Sequence, residues 1–259
     1  MNTQVELGTV RKQYETSDNL SKRISIHEKY STNKTGFGNW ISSHYRITKN
    51  CTVLELGCGT GEMWSGRENV INMCSRLILS DFSEGMLQTA KRNLKGYDNI
   101  EYQAIDIQDI PFENESFDIV IANMMLYHVP DINKALCGVK RVLKKNGIFY
   151  CATYGEHGIV EYLSGILGMY GIEDKTNKRF TLQNGENYLK SLFEVVEKHE
   201  YEDALVVTDI DDIVDYLYSL TSMSTLDPHY REAIRETLKN SMEDGVLNVP
   251  KEYGMFICR

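Results

Sequence analysis

The chain has few prolines and no long apolar run, and both absences narrow the class of protein it can be. Four prolines in 259 residues argue against long disordered linkers. No apolar stretch reaches the ~20 residues of a membrane-spanning helix, and residues Met1 to Glu15 lack the apolar centre of a secretory signal. We therefore expect a folded, cytoplasmic protein with no membrane partner.

The usual cysteine signatures of a metal site are missing as well. The six cysteines form no Cys-x-x-Cys pair, and none stands beside a histidine at the spacing of metal ligands. We therefore expect reduced, mostly buried thiols and no bound metal.

No tract rich in lysine and arginine occurs, and acidic side chains predominate. The chain has 28 lysines and arginines against 37 aspartates and glutamates, which gives a net charge of -9. Because this charge repels polyanions, we do not expect a nucleic-acid partner.

Between Cys51 and Tyr154, short runs of β-branched, apolar and aromatic residues alternate with amphipathic helical stretches. This alternation is typical of an α/β fold in which helices cover both faces of a parallel sheet. The runs that predict strands are Thr52 to Leu56, Leu77 to Asp81, Ile100 to Ile105, Phe117 to Ala122 and Ile148 to Thr153. Asp131 is expected to begin the helix before the fifth strand, and Asn146-Gly147 to end it.

The flanking segments predict mainly helices. The first fifty residues suggest two or three helical pieces and no strand. After Tyr154 we expect helices over His157 to Met169 and Gly185 to Leu192, a β-like run over Glu194 to Val207, two helices that start near Asp209 and Asp227, and a last strand over Glu252 to Cys258. With no repeat and no shift in composition, we expect a single domain: an N-terminal helical cap (1–46), a core (47–207), a helical insertion (209–247) and a final strand (251–258).

A glycine-rich turn, Glu55-Leu56-Gly57-Cys58-Gly59-Thr60-Gly61, follows the first predicted strand. Glycines let the backbone adopt positive φ and approach a ligand closely, but a tight connection without a ligand explains the turn alone equally well. Two carboxylates favour the interpretation that the turn binds a ligand. Asp81 ends the second strand, about where an acidic residue binds ribose hydroxyls in doubly wound folds. Asp106 ends the third, where it can accept a hydrogen bond from an exocyclic amine such as that of adenine.

The segment from about Thr52 to Tyr154 resembles the class I S-adenosylmethionine-dependent methyltransferases, and among them the small-molecule type of the ubiquinone and menaquinone biosynthesis enzymes. The motifs that carry the resemblance are Glu55 to Gly61, Asp81 to Leu87, Asp106, Pro111-Phe112 to Phe117-Asp118, Asn123 to Pro130, and Leu143 to Gly147. The resemblance implies a Rossmann-like, mostly parallel sheet of seven strands in the order 3-2-1-4-5-7-6, with the last strand antiparallel. It also implies S-adenosyl-L-methionine as cofactor.

The resemblance also implies roles for individual residues. The turn from Gly57 to Gly61 would face the methionine part of the cofactor, and Asp81 the ribose. Phe82 and Met86 would contact the adenine ring and Asp106 its amine, while Asn123 would lie beside the sulfonium. The cofactor-binding residues that we expect are Glu55, Gly57, Cys58, Gly59, Thr60, Gly61, Asp81, Phe82, Met86, Asp106, Ile107, Asn123, Tyr30 and Arg23.

A nicotinamide-dependent dehydrogenase is the rival explanation for a glycine turn followed by an acidic residue. Glu62 stands where the G-x-G-x-x-G pattern requires its third glycine. Glu55 would lie unfavourably beside a pyrophosphate, whereas S-adenosylmethionine carries an ammonium and a sulfonium. We therefore expect a monomeric or homodimeric methyltransferase that acts on an O, N or C centre of a small molecule. The alternative is a regulatory protein that binds S-adenosylmethionine without methyl transfer.

Several polar residues are candidates for a direct part in the reaction. His128 follows the fourth strand, where loops border the ligand crevice, and is the first candidate for a general base; Tyr14 is the second. A local hydrogen bond that shapes the pocket is the simpler interpretation of His128. Tyr14, Arg23, His27 and Tyr30 either reach the cofactor or the acceptor, or pack as an ordinary helix face.

Two further features are expected to be structural. The acidic run Asp209 to Asp212 lies where a helix begins, and carboxylates there are favoured as caps and by the helix dipole. We therefore predict capping and not a metal site. Trp40 and Trp64 are expected to be packing residues.

Overall fold

The computed structural model of the protein describes residues 25–220 and 226–259, so Tyr14 and Arg23 lie outside the described residues. The chain divides into two compact units. The sheet unit consists of Phe37–Tyr154, Arg179–Glu200 and Gly254–Arg259, and the helical unit of the described residues within Met1–Gly36, Gly155–Lys178 and Tyr201–Tyr253. That the two form a single domain stays a prediction. In the described ranges, no helix is long and apolar enough to cross a membrane.

A seven-stranded sheet forms the centre of the fold. Its strands are β1 Cys51–Leu56, β2 Cys74–Asp81, β3 Ile100–Ala104, β4 Phe117–Asn123, β5 Leu143–Tyr154, β6 Val196–Tyr201 and, last in the chain, β9 Tyr253–Cys258. They lie in the order β3-β2-β1-β4-β5-β9-β6, and β1 to β5 pair in parallel. Val195 and Arg259 exchange both backbone hydrogen bonds, which is the pattern of an antiparallel pair, so β9 runs opposite to β6. The predicted Rossmann-like sheet and its strand order are confirmed.

In the described residues, positions 25–30 are helical, and the α-helices that follow are α1 Phe37–Ser43, α2 Glu68–Ile71, α3 Glu84–Asn93, α4 Ile132–Val142, α5 Ile159–Leu167, α6 Gly185–Lys190, α7 Ile210–Ser219 and α8 Arg231–Asn240. The Asp131 side chain caps α4 by accepting a hydrogen bond from the Lys134 N–H, as predicted. The predicted end of α4 at Asn146-Gly147 is wrong. Leu143 already has an extended backbone, is buried and pairs with Phe117 of β4. The register between β4 and β5 then shifts, so that the next pair is Ile119 with Ile148, and residues 144–147 of β5 lie within this irregularity.

Both faces of the sheet are apolar, which is why its strands are almost fully buried. Val53 and Leu54 are adjacent in β1 and fully buried, yet they belong to different apolar clusters because successive side chains point to opposite faces. Each such side chain contributes about 1.5–3 kcal/mol through burial. The sheet is therefore a rigid support for the residues at its edge.

The helical unit has a small sheet that the sequence did not predict. Residues 194–207, expected as one β-like run, divide into β6 and β7 (Ala204–Val207), and β7 pairs antiparallel with β8 (Leu247–Pro250). The helix expected from Asp227 is a short 3₁₀ turn, Pro228–Tyr230, followed by α8. At the start of α7 the Asp209 side chain accepts a hydrogen bond from the Asp211 N–H, so the predicted capping role is confirmed.

The cysteines agree with the sequence prediction. All six are free, and all but Cys137 are buried. Cys51 and Cys74 are register partners at the start of β1 and β2. The Cys74 side chain beside it lowers the pKa of the Cys51 thiol.

Candidate functional site

The carboxyl ends of β1, β2 and β4 meet at one edge of the sheet. Because β1 pairs in parallel with both neighbours, Glu55, Asp81 and Asn123 come to this edge together. The glycine turn begins there, and Gly57 and Gly59 have φ values of +74° and +55°. A Cβ at Gly57 would lie 2.8 Å from Cγ of Met125, whereas a Cβ at Gly59 would meet no atom within 4 Å. The turn therefore requires glycine at Gly57, and at Gly59 its backbone borders open space.

Asp81 ties the glycine turn to the loop after β2. Its Oδ2 accepts a hydrogen bond from the Gly59 N–H at 2.9 Å, and its Oδ1 accepts one from the Ser83 N–H at 2.8 Å. Burial raises the pKa of Asp81, and the two backbone donors oppose that shift. Each oxygen retains a second lone pair, so the carboxylate can still accept a pair of hydroxyl donors.

Glu55 is a buried acid to which no basic side chain among residues 25–220 and 226–259 donates a hydrogen bond. Its side chain is only 2% exposed, and its Oε2 accepts a hydrogen bond from Nε1 of Trp64 at 2.6 Å. Burial raises the pKa of Glu55 to about 7; the Trp64 bond opposes this shift, and the charge of Asp81 adds to it. Trp64 is therefore more than the packing residue predicted, because it also holds the carboxyl group in place. A cationic ligand nearby would stabilise the ionised form.

Asn123 has a buried acceptor without a partner. Its Nδ2 donates to the Tyr45 hydroxyl at 2.6 Å, while its Oδ1 is buried and finds no hydrogen-bond donor among the described residues. A buried polar atom left in this way costs about 1–3 kcal/mol. The next residue, Met124, has a φ of +53°, a strained conformation for a side-chain-bearing residue and one that is frequent at functional sites.

These acceptors fit the expected cofactor. Glu55, Asp81 and Asn123 Oδ1 offer negative or partially negative oxygens at one edge, and S-adenosylmethionine has a positive sulfonium, an ammonium and ribose hydroxyls to meet them. Phe82, directly after β2, has 57% of its surface exposed although it is aromatic, so a flat apolar ring can stack on it.

The other predicted cofactor-binding residues of the sheet unit lie around this edge with differing exposure. Asp106 follows β3, and its Oδ1 accepts hydrogen bonds from the Gln108 backbone and side-chain amides at 2.9 and 3.1 Å. Cys58 and Ile107 are buried in apolar clusters, so their backbones and not their side chains are available to a ligand. Thr60 and Met86 are partly buried, whereas Gly61 is buried against α3.

His128 ends a short 3₁₀ turn after β4, Leu126–His128, and its ring contacts that of Tyr127 with centroids 4.4 Å apart. Burial and the nearby charge of Arg179 lower the pKa of His128. The imidazole is therefore neutral at neutral pH and able to accept a proton. Its position agrees with both interpretations of this residue, the general base and the local pocket-shaping role.

Tyr30 belongs to the helical unit. It is 5% exposed, and its hydroxyl donates to the Asp212 carboxylate. Tyr30 therefore packs as part of a helix face, which was the second of the two possibilities for this residue. A cofactor contact by Tyr30 stays a prediction. Within residues 25–220 and 226–259, no group of three His, Cys, Asp or Glu side chains is arranged to hold a metal ion.

The family model of the methyltransferase domain matches residues 47–205 of the chain. The chain belongs to the class I methyltransferases. Membership in this S-adenosylmethionine-dependent family explains the acceptor-rich edge, and it rules out the dehydrogenase alternative.

Relatives and solved structures agree with this assignment. The methyltransferase is 28% identical over 182 residues to the ubiquinone/menaquinone biosynthesis C-methyltransferase UbiE of Escherichia coli K12, over 68% of this chain and 72% of the relative. Its fold is that of YcgJ from Bacillus subtilis, with a TM-score of 0.58 at 17% identity over 85% of this chain and 95% of that one. The [4+2]-cyclase SpnF shares the fold at a TM-score of 0.53 and 14% identity, over 86% of this chain and 79% of that one. The fold alone therefore does not fix the reaction.

The raised pKa of Glu55 predicts how the stability of this methyltransferase depends on pH. In the free protein Glu55 holds its proton up to pH about 7, whereas in the unfolded chain it releases it near 4.5. Raising the pH between these values should therefore lower the free energy of unfolding, by about 3 kcal/mol from this group. Glu55→Gln should remove that part of the slope in urea unfolding at pH 5.0 and 7.5. An unchanged pH dependence would show that Glu55 ionises normally.

Proposed function

We propose that this methyltransferase transfers a methyl group from S-adenosylmethionine to an O, N or C centre of a small molecule. The observation that carries the proposal is the set of acceptors at the sheet edge, above all the buried carboxyl group of Glu55 and the buried Oδ1 of Asn123, which has no donor in the part of the chain that the structure describes. When bound, S-adenosylmethionine supplies an activated methyl group on a positively charged sulfur. The residues of the chain then have to hold that donor and the acceptor in line.

Each residue at the edge has a part in this proposal. Asp81 accepts the ribose hydroxyls, and Glu55 balances the positive charge of the methionine part. Phe82, with Met86, packs on the adenine ring, and Asp106 accepts from its amine. Asn123 turns an acceptor oxygen toward the sulfonium. Roles for Tyr14, Arg23 and Tyr30 remain proposals from the sequence.

A small-molecule acceptor is proposed on grounds of charge and composition. The net charge of -9 and the lack of a basic tract disfavour a nucleic acid. The relative UbiE is named for ubiquinone and menaquinone biosynthesis, so precursors of these quinones belong in the first set of acceptors to be tried.

The experiment is a turnover assay with a library of small-molecule acceptors, in which S-adenosylhomocysteine is measured by mass spectrometry. Product that depends on both acceptor and enzyme supports the proposal, and Asp81→Ala is the matched inactive control. Tight binding of S-adenosylmethionine with no turnover on any acceptor would favour the regulatory alternative. No binding would exclude both.

We expect positioning to contribute more to the rate than proton transfer. Holding two reactants in line can supply roughly 7–11 kcal/mol of the barrier, whereas a general base adds about 10²- to 10⁴-fold and is needed only when the acceptor carries a high-pKa proton. His128, neutral at neutral pH, is the first candidate for that supporting role.

We expect His128→Gln to lower turnover of the true acceptor by less than about tenfold and to leave cofactor affinity nearly unchanged. The reason is that the pocket-shaping role, the simpler interpretation of His128, needs only a polar side chain of similar reach, which glutamine retains, whereas loss of a general base would cost about 10²- to 10⁴-fold. Steady-state kinetics and calorimetry measure the two quantities. Complete loss of turnover, together with loss of an ionisation from the pH–rate profile, would show that His128 removes a proton in the rate-limiting step.

A further inference from the structure

We propose that Tyr45 is a positioning residue that fixes the Asn123 amide with its oxygen toward the ligand, and that this orientation makes the site select a positively charged sulfonium over a neutral thioether. The inference rests on the proposed function. It assigns a part to Tyr45, which precedes β1 and lies outside every motif recognised in the sequence.

The contact itself is short and specific. The Asn123 Nδ2 donates to the Tyr45 hydroxyl at 2.6 Å, across 78 positions of the chain. The two ends of an asparagine amide have nearly the same shape but opposite hydrogen-bonding character, so a partner at one end decides what the other end offers. With Nδ2 directed to Tyr45, the free end is Oδ1.

The Tyr45 hydroxyl can accept this bond because it stays protonated and neutral. Burial raises the pKa of Tyr45 well above its usual value. A neutral hydroxyl offers a lone pair to the Asn123 NH₂ group, and this bond leaves Oδ1 as the end of the amide that faces away from Tyr45.

The free Oδ1 is buried and finds no hydrogen-bond donor among residues 25–220 and 226–259. The N–H of the next residue, Met124, donates to the carbonyl oxygen of Ala152 and anchors the end of β4 on β5. A partially negative oxygen at the same end of the parallel strands as Glu55 and Asp81 favours a positive ligand. If the amide rotated by half a turn, its NH₂ group would replace the oxygen and the preference for positive charge would fall. The orientation of one amide therefore sets a charge preference.

The test compares the affinities of S-adenosylmethionine and S-adenosylhomocysteine, which differ in the sulfonium methyl group and its charge, by calorimetry. Tyr45→Phe should weaken binding of the sulfonium compound about tenfold and change binding of the thioether less than about threefold. The matched control is Tyr150→Phe. Tyr150 is fully buried, its ring lies edge-on to that of Tyr45 at 5.1 Å, and its hydroxyl accepts from the Arg46 N–H and not from Asn123. This control should leave the ratio of the two affinities unchanged.

Asn123→Ala completes the test as a double-mutant cycle. In that background Tyr45→Phe should no longer change the affinity ratio, since the amide it orients is absent. Tyr45→Met, which also removes the hydroxyl and retains an apolar side chain, should reproduce the loss and serves if the phenylalanine variant does not fold.

Equal weakening of both ligands in the Tyr45 variants, or an unchanged ratio, overturns the inference and leaves Tyr45 a packing residue. If the unaltered protein binds both ligands, the proposed function stands even when the Tyr45 variants overturn the inference. If the unaltered protein binds neither, the proposed function fails and the inference with it.

Discussion

Asp81→Ala is expected to weaken binding of S-adenosylmethionine at least a hundredfold in a protein that remains folded. Two hydrogen bonds to a carboxylate contribute about 1.5–3 kcal/mol each, which corresponds to about 10²- to 10⁴-fold in affinity. The substitution also releases the Gly59 and Ser83 N–H groups that Asp81 holds at 2.9 and 2.8 Å, so the turn loses its anchor as well as its ligand contact. Isothermal calorimetry measures the change, and circular dichroism checks the fold.

Asp106→Ala is the matched comparison. Asp106 is bonded to Gln108 within its own loop and is proposed to contribute one bond to adenine, so its loss should cost less than that of Asp81. If Asp106→Ala weakens cofactor binding as much as Asp81→Ala or more, the proposed ranking of the two carboxylates is wrong. Unchanged affinity in a folded Asp81→Ala protein would refute the ribose assignment.

Gly254→Ala should destabilise the sheet severely although it adds only one methyl group, with a loss of about 3 kcal/mol or more in the free energy of unfolding. Gly254 is buried in β9 beside β6. A Cβ there would clash with the carbonyl oxygen of His199 and lie 3.3 Å from Cα of Glu200. Both are backbone atoms, so the clash can be relieved only by moving one strand away from the other.

Gly165→Ala provides the control. Gly165 is exposed in α5, and an added Cβ would meet no atom within 4 Å. Alanine is the better helix former, so this variant should gain about 0.5–1 kcal/mol. Urea unfolding should show a lower free energy of unfolding for Gly254→Ala and a higher one for Gly165→Ala. A Gly254→Ala protein as stable as the parent would mean that the strands separate at little cost.

The strands of the parallel sheet could be predicted because each is a short apolar run bounded by turn residues. β1 to β4 lie within a few residues of the predicted runs, and the antiparallel β9 begins one residue later than expected. The end of α4 could not be predicted from the apolar pattern. Leu143 continues the apolar pattern of the helix, and only its pairing with Phe117, more than twenty positions away, makes it a strand residue.

Part of the candidate site could be predicted from the same pattern of strands and the turns that follow them. The glycine turn and Asp81 stand at strand ends and can be located by pattern, whereas Asn123 was expected only from the resemblance to the methyltransferases. The bond from Trp64 to Glu55 and the bond between Asn123 and Tyr45 depend on how side chains meet in space. No periodicity or motif predicts such contacts, because they are decided by packing.

The hydrogen bond between Trp64 and Glu55 gives the protein an optical probe of its own site. The chain has two tryptophans, and Trp64 is buried with its indole N–H on a carboxyl group whose pKa is about 7. Trp40 stacks on Phe37 and lies 4.5 Å from the His44 ring, in different surroundings. Replacing Trp40 with phenylalanine leaves a single tryptophan, whose fluorescence should follow the ionisation of Glu55 and the arrival of a cation at the sheet edge without any added label.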